Sequence, residues 1–235
     1  MKSFRAGPLL VHATGGSDRD GGGDGPAVLL CHGFGAPGTD LGSLARVIDA
    51  GPNTRWFFPE APIELDLGWG QRGRAWWEID MMEYQRLMMM GRWAELMNRM
   101  PEGLVAARQA LDECIAALGL DLSKTVIGGF SQGAMITTDR TLTGTPGRGL
   151  AILSGSIIAR ERWAPRFDTL PKGFEVFQSH GRQDPILPFA GAETLREQLT
   201  QAGANVSWVP FQGQHEIPGA VLNGLSAYLK AKLAI

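Results

Sequence analysis

The sequence predicts an α/β protein with a mostly parallel central sheet and helices on both faces. Short apolar runs, rich in β-branched and aromatic residues, alternate along the chain with longer segments of helical periodicity. Parallel strands need crossover connections, usually helical, so this alternation favours a parallel sheet covered on both faces. No internal repeat is visible, and 235 residues with 44% hydrophobic content suffice for one large core. We therefore expect residues 1–235 to form a single domain.

The individual elements follow from the same patterns. The apolar runs that end in turn residues predict strands at 27–33, 54–62, 124–130, 149–155, 173–181 and 204–213. The periodic segments predict helices at 39–50, 101–118, 133–142, 189–202 and 218–233. The Gly/Asp-rich segment 15–25 lacks the Lys-Ser/Thr ending of a phosphate-binding loop, so we interpret it as a flexible connection between early strands.

Composition and charge exclude several classes of function. The net charge of −2 gives no basic field for nucleic acid or an anionic membrane. No apolar run approaches the ~18 residues of a membrane span, and the first residues lack a signal-peptide core. Cys31 and Cys114 lie in apolar patterns, which predicts buried free thiols. We expect a cytoplasmic monomer or homodimer without stable membrane insertion.

The segment Gly129-Phe130-Ser131-Gln132-Gly133 completes a G-x-S-x-G pattern between a predicted strand and a predicted helix. Serine and glycine also form ordinary turns, so the five residues alone do not establish a function. The strand-turn-helix context is what a nucleophile elbow requires, because small residues let the backbone turn tightly beneath the serine. We therefore predict that Ser131 is a catalytic nucleophile.

A serine hydroxyl needs a base to accept its proton, and four histidines are available. His12 precedes the sheet core, His32 lies just before a glycine turn, and His180 begins a loop that it would brace. His215 lies after the last predicted strand, on a loop that reaches toward the elbow. We predict His215 as the general base.

The base in turn needs a carboxylate that orients it. Asp184 directly follows a predicted strand, and the order Ser131, Asp184, His215 is that of α/β-hydrolases. Among its rivals, Asp168 lies before a strand and Asp139 within a helix. Asp112 and Asp121 precede the serine and break this order.

Attack on a carbonyl creates an oxyanion that needs backbone N–H donors in place. The N–H of Gln132, directly after the nucleophile, is one candidate. The glycine-rich loop 32–35 follows the strand 27–33 and supplies the other, for which the N–H of Phe34 is the best choice. A simple glycine turn is the alternative interpretation of this loop.

The segment 68–100 does not fit the alternation of strands and helices. It contains seven of the nine methionines and four of the seven tryptophans. The methionines are too clustered for one narrow helical stripe, and methionine adapts to irregular partners. The segment is predicted to be either a lid or pocket wall over an apolar substrate, or a core helix of unusual composition.

These residues together resemble the phospholipase/carboxylesterase family of α/β-hydrolases, which includes acyl-protein thioesterases and small bacterial carboxylesterases. The resemblance covers about residues 26–232. The matching segments are LLCHGFGAPGTDL (29–41), FPEAP (58–62), RAWWEI (74–79), GGFSQGAM (128–135), LSG (153–155), HGRQDPILP (180–188) and GQHEI (213–217). The Met-rich run 81–100 and the length of the segment 15–25 depart from the family pattern.

The resemblance implies an α/β-hydrolase fold, the same triad and oxyanion donors, and no metal or cofactor. It places Trp76 and Trp77 near the acyl pocket, and the Met-rich run adds Met88 and Met89 as candidate pocket residues. The expected activity is serine carboxylesterase on a small-molecule ester of short or medium chain length. An acyl thioesterase or lysophospholipase with the same triad is the alternative. Peptide hydrolysis, acyl transfer and a non-catalytic binding module are less favoured.

Overall fold

Ten β-strands are present in the computed structural model, which describes residues 1–234. The strands are β1 (Lys2–Ala6), β2 (Leu9–Gly15), β3 (Ala27–Cys31), β4 (Arg55–Pro59), β5 (Ile63–Asp66), β6 (Arg72–Ala75), β7 (Thr125–Phe130), β8 (Gly149–Leu153), β9 (Glu175–Gly181) and β10 (Asn205–Phe211). Eight of them form the central sheet in the order β1-β2-β4-β3-β7-β8-β9-β10. β5 and β6 pair separately as an antiparallel hairpin.

The sheet is parallel from β4 to β10, which confirms the predicted class. Only β1 and β2, at one edge, run antiparallel to their neighbours. The connections between the parallel strands contain most of the helices. These are α1 (Leu44–Val47), α2 (Met81–Met89), α3 (Trp93–Asn98), α4 (Leu104–Ala117), α5 (Gln132–Thr143), α6 (Arg160–Phe167), α7 (Phe189–Gln201) and α8 (Gly219–Leu233).

The central strands are apolar along their whole length because both faces of the sheet are covered. In β3, Leu29 and Cys31 belong to the core on one face. Val28 and Leu30 belong to the core on the other face. Side chains of α4, α5, α6 and α7 complete the first core, while those of α1 and α8 complete the second.

Several parts of the chain differ from the sequence-based expectation, including helix α6 and strand β1, which were not predicted. The predicted helix 39–50 is a 3-10 turn followed by the four-residue α1, because Ile48 is already extended and Gly51-Pro52 follows. The hairpin β5–β6 was not predicted, since its residues are mostly polar or glycine. The Met-rich run forms two short helices, α2 and α3, rather than one long helix.

Both cysteines are free and buried, as predicted. Burial raises the pKa of the Cys31 thiol well above its ordinary value, and it raises that of Cys114 to about 12. Within residues 1–234, no helix combines the length and the apolar character needed to cross a bilayer.

Candidate active site

Ser131 lies between β7 and α5 in a backbone conformation that non-glycine residues rarely adopt. Its φ is 56° and its ψ is −120°, and its N–H donates a hydrogen bond to the carbonyl of Leu153 on β8 at 2.9 Å. Such strain costs free energy and persists only where the surrounding structure enforces it. The turn therefore has the geometry of an elbow that projects a side chain from the carboxyl edge of the sheet.

Two glycines make this elbow possible. A Cβ atom at Gly133 would lie 2.0 Å from the carbonyl oxygen of Cys31, and one at Gly129 would lie 2.5 Å from the same oxygen. Both distances are far below van der Waals contact and both involve backbone atoms. The glycines of the G-x-S-x-G pattern are thus required by the close approach of β3, β7 and α5.

Asp184 and His215 lie on the loops that follow β9 and β10, and their side chains are in contact. His215 Nδ1 lies 2.6 Å from Asp184 Oδ2. The other carboxylate oxygen, Oδ1, accepts hydrogen bonds from the N–H groups of Ile186 and Leu187, each at 2.9 Å. The His215 ring also packs against Phe130, with ring centroids 4.7 Å apart. An imidazole in contact with a carboxylate is therefore present beside the elbow.

The environment of Asp184 favours its ionised form. Burial by itself raises the pKa of this carboxyl group, but hydrogen bonds from His180, His215 and the Leu187 N–H outweigh that effect. The net result is a pKa well below the ordinary value for aspartate. A carboxylate held ionised in a buried position stabilises a neighbouring imidazolium.

Two other histidines have hydrogen-bond partners outside residues 129–133 of the elbow. His12 Nδ1 lies 2.8 Å from the Ser3 hydroxyl, and its Nε2 lies 3.3 Å from a carboxylate oxygen of Glu60. His32 Nδ1 lies 2.8 Å from the carbonyl oxygen of Gly33. Burial lowers the pKa of His32. Both rings are thus engaged in bracing strands and loops.

The two aspartates considered as alternatives to Asp184 lie on helices α5 and α6 and do not contact His215. Asp139 is fully buried within α5, where Oδ1 accepts hydrogen bonds from Trp163 Nε1 at 2.8 Å and Arg162 Nε at 3.0 Å. Asp168 caps the C-terminal end of α6. The structure brings neither to His215.

The loop after β3 lies directly against the serine. A Cβ atom at Gly33 would lie 3.3 Å from Ser131 Cβ. Strand β6 fixes this loop, because the Gly35 N–H donates to Arg74 O at 2.8 Å and the Arg74 N–H donates to Ala36 O at 3.1 Å. The neighbouring Phe34 lines the same cavity as Ser131.

Gln132 has a backbone N–H at the start of α5 and a side chain that holds the neighbouring segment 76–77. As the first residue of α5, it has an N–H group without a partner inside the helix. Its side-chain Oε1 accepts a hydrogen bond from the Trp76 N–H, and Nε2 donates to the carbonyl of Trp77, both at 2.9 Å. Sequence reasoning missed this second role. The sequence carries no clear signal for this role, because the G-x-S-x-G pattern allows any residue type at position 132.

A cavity of about 840 Å³ opens over Ser131 and His215. Its lining is mainly apolar, and much of it comes from the segment after β6, from α3 and α5, and from the loop after β8. The wall includes Trp77, Trp93, Leu96, Met97, Met135 and Ile157. Trp76 is not at the surface of the cavity but lies behind it, 1% exposed, with Nε1 donating to His32 O at 3.0 Å.

The structure does not bring Met88 and Met89 to the cavity, so their prediction as pocket residues is wrong. Helix α2 has one buried position, Leu87, and Met89 lies two residues further on, where a helix faces the opposite side. Met89 is 90% exposed and Met88 is half-buried away from the cavity. Three other methionines of the same segment, Met81, Met97 and Met100, line the cavity instead.

Polar contacts hold α2 over the mouth of the cavity. Asp80 caps the helix by accepting a hydrogen bond from the Glu83 N–H at 2.9 Å. Arg99, which follows α3, forms a two-point ion pair with the Glu83 carboxylate at 2.8 and 2.9 Å. The Tyr84 hydroxyl donates to the carbonyl of Ile186. Burial and the nearby Asp184 carboxylate raise the pKa of Tyr84 to about 12.

Known proteins with related sequences are hydrolases of acyl esters and thioesters. The model of the phospholipase/carboxylesterase family matches residues 22–233. Acyl-protein thioesterase 1 of Kluyveromyces lactis is 31% identical over 172 residues, which are 68% of this chain and 70% of that protein. Acyl-protein thioesterase 1 of Eremothecium gossypii is 29% identical over 216 residues, 88% of both chains.

Solved structures resemble the fold over nearly its whole length. Esterase PE8 aligns with a TM-score of 0.73 and 26% identity, and the match covers 94% of this chain and all of that one. A carboxylesterase from Mesorhizobium loti aligns with a TM-score of 0.71 over 97% of both chains, although identity is only 18%. The α/β-hydrolase fold expected from the sequence is thereby confirmed. The chain belongs to the phospholipase/carboxylesterase family and is an ester hydrolase.

Proposed function

We propose that this protein is a serine carboxylesterase that hydrolyses carboxylic esters of short to medium acyl chain length through an acyl-enzyme. The observation that carries the proposal is the convergence of three features on one cavity. Ser131 lies on a strained elbow, the imidazole of His215 contacts the ionised Asp184, and both Ser131 and His215 border an apolar pocket. Nucleophile, base and binding site are then within one small volume.

In the first half of the proposed reaction, Ser131 Oγ attacks the ester carbonyl while His215 Nε2 accepts its proton. Asp184 holds the ring through Nδ1, which leaves Nε2 as the nitrogen available to the serine. The resulting oxyanion would be bound by the N–H groups of Gln132 and Phe34, each worth about 3 kcal/mol of transition-state stabilisation. His215 then protonates the departing alcohol, and the acyl group stays on the serine.

In the second half, a water molecule loses a proton to His215 and attacks the acyl-enzyme. The same N–H groups bind the second oxyanion, and collapse of the intermediate returns the proton to Ser131 Oγ while the carboxylic acid departs. The apolar wall of the cavity would hold the acyl chain during both steps. This lining is the reason that we propose an acyl chain, rather than a polar group, as the part of the substrate that contacts it.

An acyl thioesterase is the second candidate, and the names of the curated relatives favour it. A thioester passes through the same steps with a thiol as the leaving group. A lysophospholipase would also use the same residues. We rank the carboxylesterase first because the sequence contains no pattern that we can identify as a protein-docking surface. Location in the cytoplasm and assembly as a monomer or homodimer stay predictions from the sequence.

The proposal is tested with p-nitrophenyl esters of graded acyl length, supplied to the purified protein and to Ser131→Ala. We expect hydrolysis by the parent protein and a loss of roughly 10³-fold or more in Ser131→Ala, because the nucleophile is removed. Equal rates for the two proteins would overturn the mechanism. A thioester of the same acyl group, measured in parallel, decides between the two candidates by the ratio of their kcat/KM values.

A further inference from the structure

His180 is a buried histidine that the proposed reaction does not use. It lies near the end of β9, four residues before Asp184, and its side chain is completely buried. Phe189, the first residue of α7, packs edge-on against the ring with centroids 6.1 Å apart. His180 does not line the cavity and so would not touch the substrate.

The hydrogen bonds of His180 identify which ring nitrogen carries the hydrogen. Nε2 lies 2.8 Å from the carbonyl oxygen of Leu187 and 3.2 Å from Asp184 Oδ2. A carbonyl oxygen can only accept, so Nε2 is the protonated nitrogen. One N–H group is therefore shared between the carboxylate of Asp184 and the backbone of the loop that carries it.

This contact completes the set of donors around Asp184. Oδ1 accepts from the N–H groups of Ile186 and Leu187, and Oδ2 faces both His215 Nδ1 and His180 Nε2. The contact to His215 is at 2.6 Å and that to His180 at 3.2 Å. Each carboxylate oxygen thus has two donors, which leaves the side chain one orientation.

The other nitrogen of the His180 ring argues against a purely structural role. Nδ1 is buried and has no hydrogen-bond partner within residues 1–234. Native proteins contain few such groups, and each one calls for an explanation because an unsatisfied buried acceptor destabilises the fold. An apolar side chain of similar size would avoid the unsatisfied atom but would lose the hydrogen bond to the carbonyl of Leu187. A donor at this position therefore serves two groups of the same loop, the Leu187 carbonyl and the Asp184 carboxylate.

We propose that His180 is a positioning residue that holds the carboxylate of Asp184 in the orientation required by His215. This proposal rests on the proposed triad of Ser131, Asp184 and His215. Without the Nε2–H donor, Asp184 Oδ2 loses one of its two donors, so the carboxylate is held less firmly about its side-chain torsion, and the carbonyl of Leu187 is released. The imidazole of His215 then loses a fixed partner.

The test compares three substitutions of His180 by their kcat and KM on a p-nitrophenyl ester. In His180→Gln the amide nitrogen stands at about the position of Nε2, so a donor is kept. In His180→Asn the amide nitrogen stands at about the position of Nδ1, and in His180→Leu there is no donor. We expect kcat to fall roughly 10–100-fold in the Asn and Leu variants, as when the partner that orients a ligating side chain is removed. KM should be nearly unchanged in both, and His180→Gln should keep most of the wild-type kcat.

Gln178→Leu is the matched control for loss of a buried polar side chain. Gln178 lies on the same strand two residues earlier, is fully buried, and donates to the carbonyl of Ala192 at 2.8 Å. The Gln178→Leu variant should retain the wild-type kcat. A wild-type kcat in His180→Leu would overturn the proposal, as would an equal loss in the Gln and Leu variants or in Gln178→Leu. Failure of the triad itself would appear separately, as activity retained in Ser131→Ala.

Discussion

The elbow at 129–133 and the Met-rich helices at 81–100 both border the cavity, yet their sequences determine their structures to very different degrees. In the elbow, glycines face backbone atoms at distances that exclude any side chain. In the Met-rich segment, five methionines are largely exposed while Met97 is buried against the cavity wall. The first region tolerates no side chain at Gly129 or Gly133, whereas the second accommodates the same residue type in opposite environments.

The difference lies in what each region packs against. Three main-chain segments meet beneath Ser131, and main-chain atoms cannot move aside. The helices α2 and α3 pack through flexible side chains and are held by ion pairs and the Tyr84 hydroxyl. Backbone packing makes a short motif reliable evidence, while methionine composition alone is compatible with a pocket, a core or a surface.

The largest expected effect comes from breaking the elbow. Gly133→Ala places a Cβ atom 2.0 Å from the carbonyl oxygen of Cys31, so β3 and α5 must separate. We expect a loss of more than about 4 kcal/mol in the free energy of unfolding, which would leave little folded protein. Urea denaturation followed by circular dichroism measures it. Gly219→Ala is the control, because a Cβ atom there has nothing within 4 Å. A Gly133→Ala protein as stable as this control would contradict the packing argument.

A smaller effect should separate two methionines of the same segment. Met97→Ala removes a buried side chain from the cavity wall, so we expect a loss of about 2–5 kcal/mol and an optimum shifted to longer acyl chains. Met89→Ala, at a position that is 90% exposed, should change neither property. Chain-length profiles and thermal melts measure both. If Met89→Ala shifts the profile and Met97→Ala does not, the assignment of the cavity wall is wrong.

The smallest expected effect is a dependence of stability on pH that arises from Asp184. Its pKa is lower in the folded chain than in the unfolded chain, so its ionised form stabilises the fold above about pH 4. That stabilisation is lost as the pH falls through the folded-state pKa. The melting temperatures of the parent protein and Asp184→Asn should therefore differ by a constant amount from pH 7 to about pH 5, and should begin to converge as the pH is lowered from about 4 to 3. Asp168→Asn, at the end of α6, is the control. A difference that stays constant below about pH 4 would show that the carboxylate is not stabilised as described.

The sequence sufficed for the sheet core and for the position of the candidate triad. Strands β3, β7 and β8 are mainly apolar because they are buried on both faces, and this signal is strong in a single sequence. Ser131 follows β7, Asp184 follows β9 and His215 follows β10, so the parallel arrangement of these strands directs all three to one edge of the sheet.

The parts that the sequence did not predict depend on contacts between distant segments. The hairpin β5–β6 contains glycine, arginine and aspartate, which are poor or neutral strand formers. Its position is fixed by two backbone hydrogen bonds, one from the Gly35 N–H to the Arg74 carbonyl and one from the Arg74 N–H to the Ala36 carbonyl. The orientation of Met88 and Met89 likewise depends on which single face α2 buries, and methionines on all sides of the helix leave that choice open.

The side chain of Gln132 restricts which sequences can carry this elbow. Its amide oxygen accepts a hydrogen bond from the backbone N–H of Trp76, and its amide nitrogen donates one to the backbone carbonyl of Trp77. Glutamate would oppose that carbonyl with a second acceptor, and leucine would leave two buried backbone groups unpaired. The position written as x in G-x-S-x-G is therefore not a free choice in this protein. An engineer who varies it to tune the nucleophile would at the same time release the wall of the pocket.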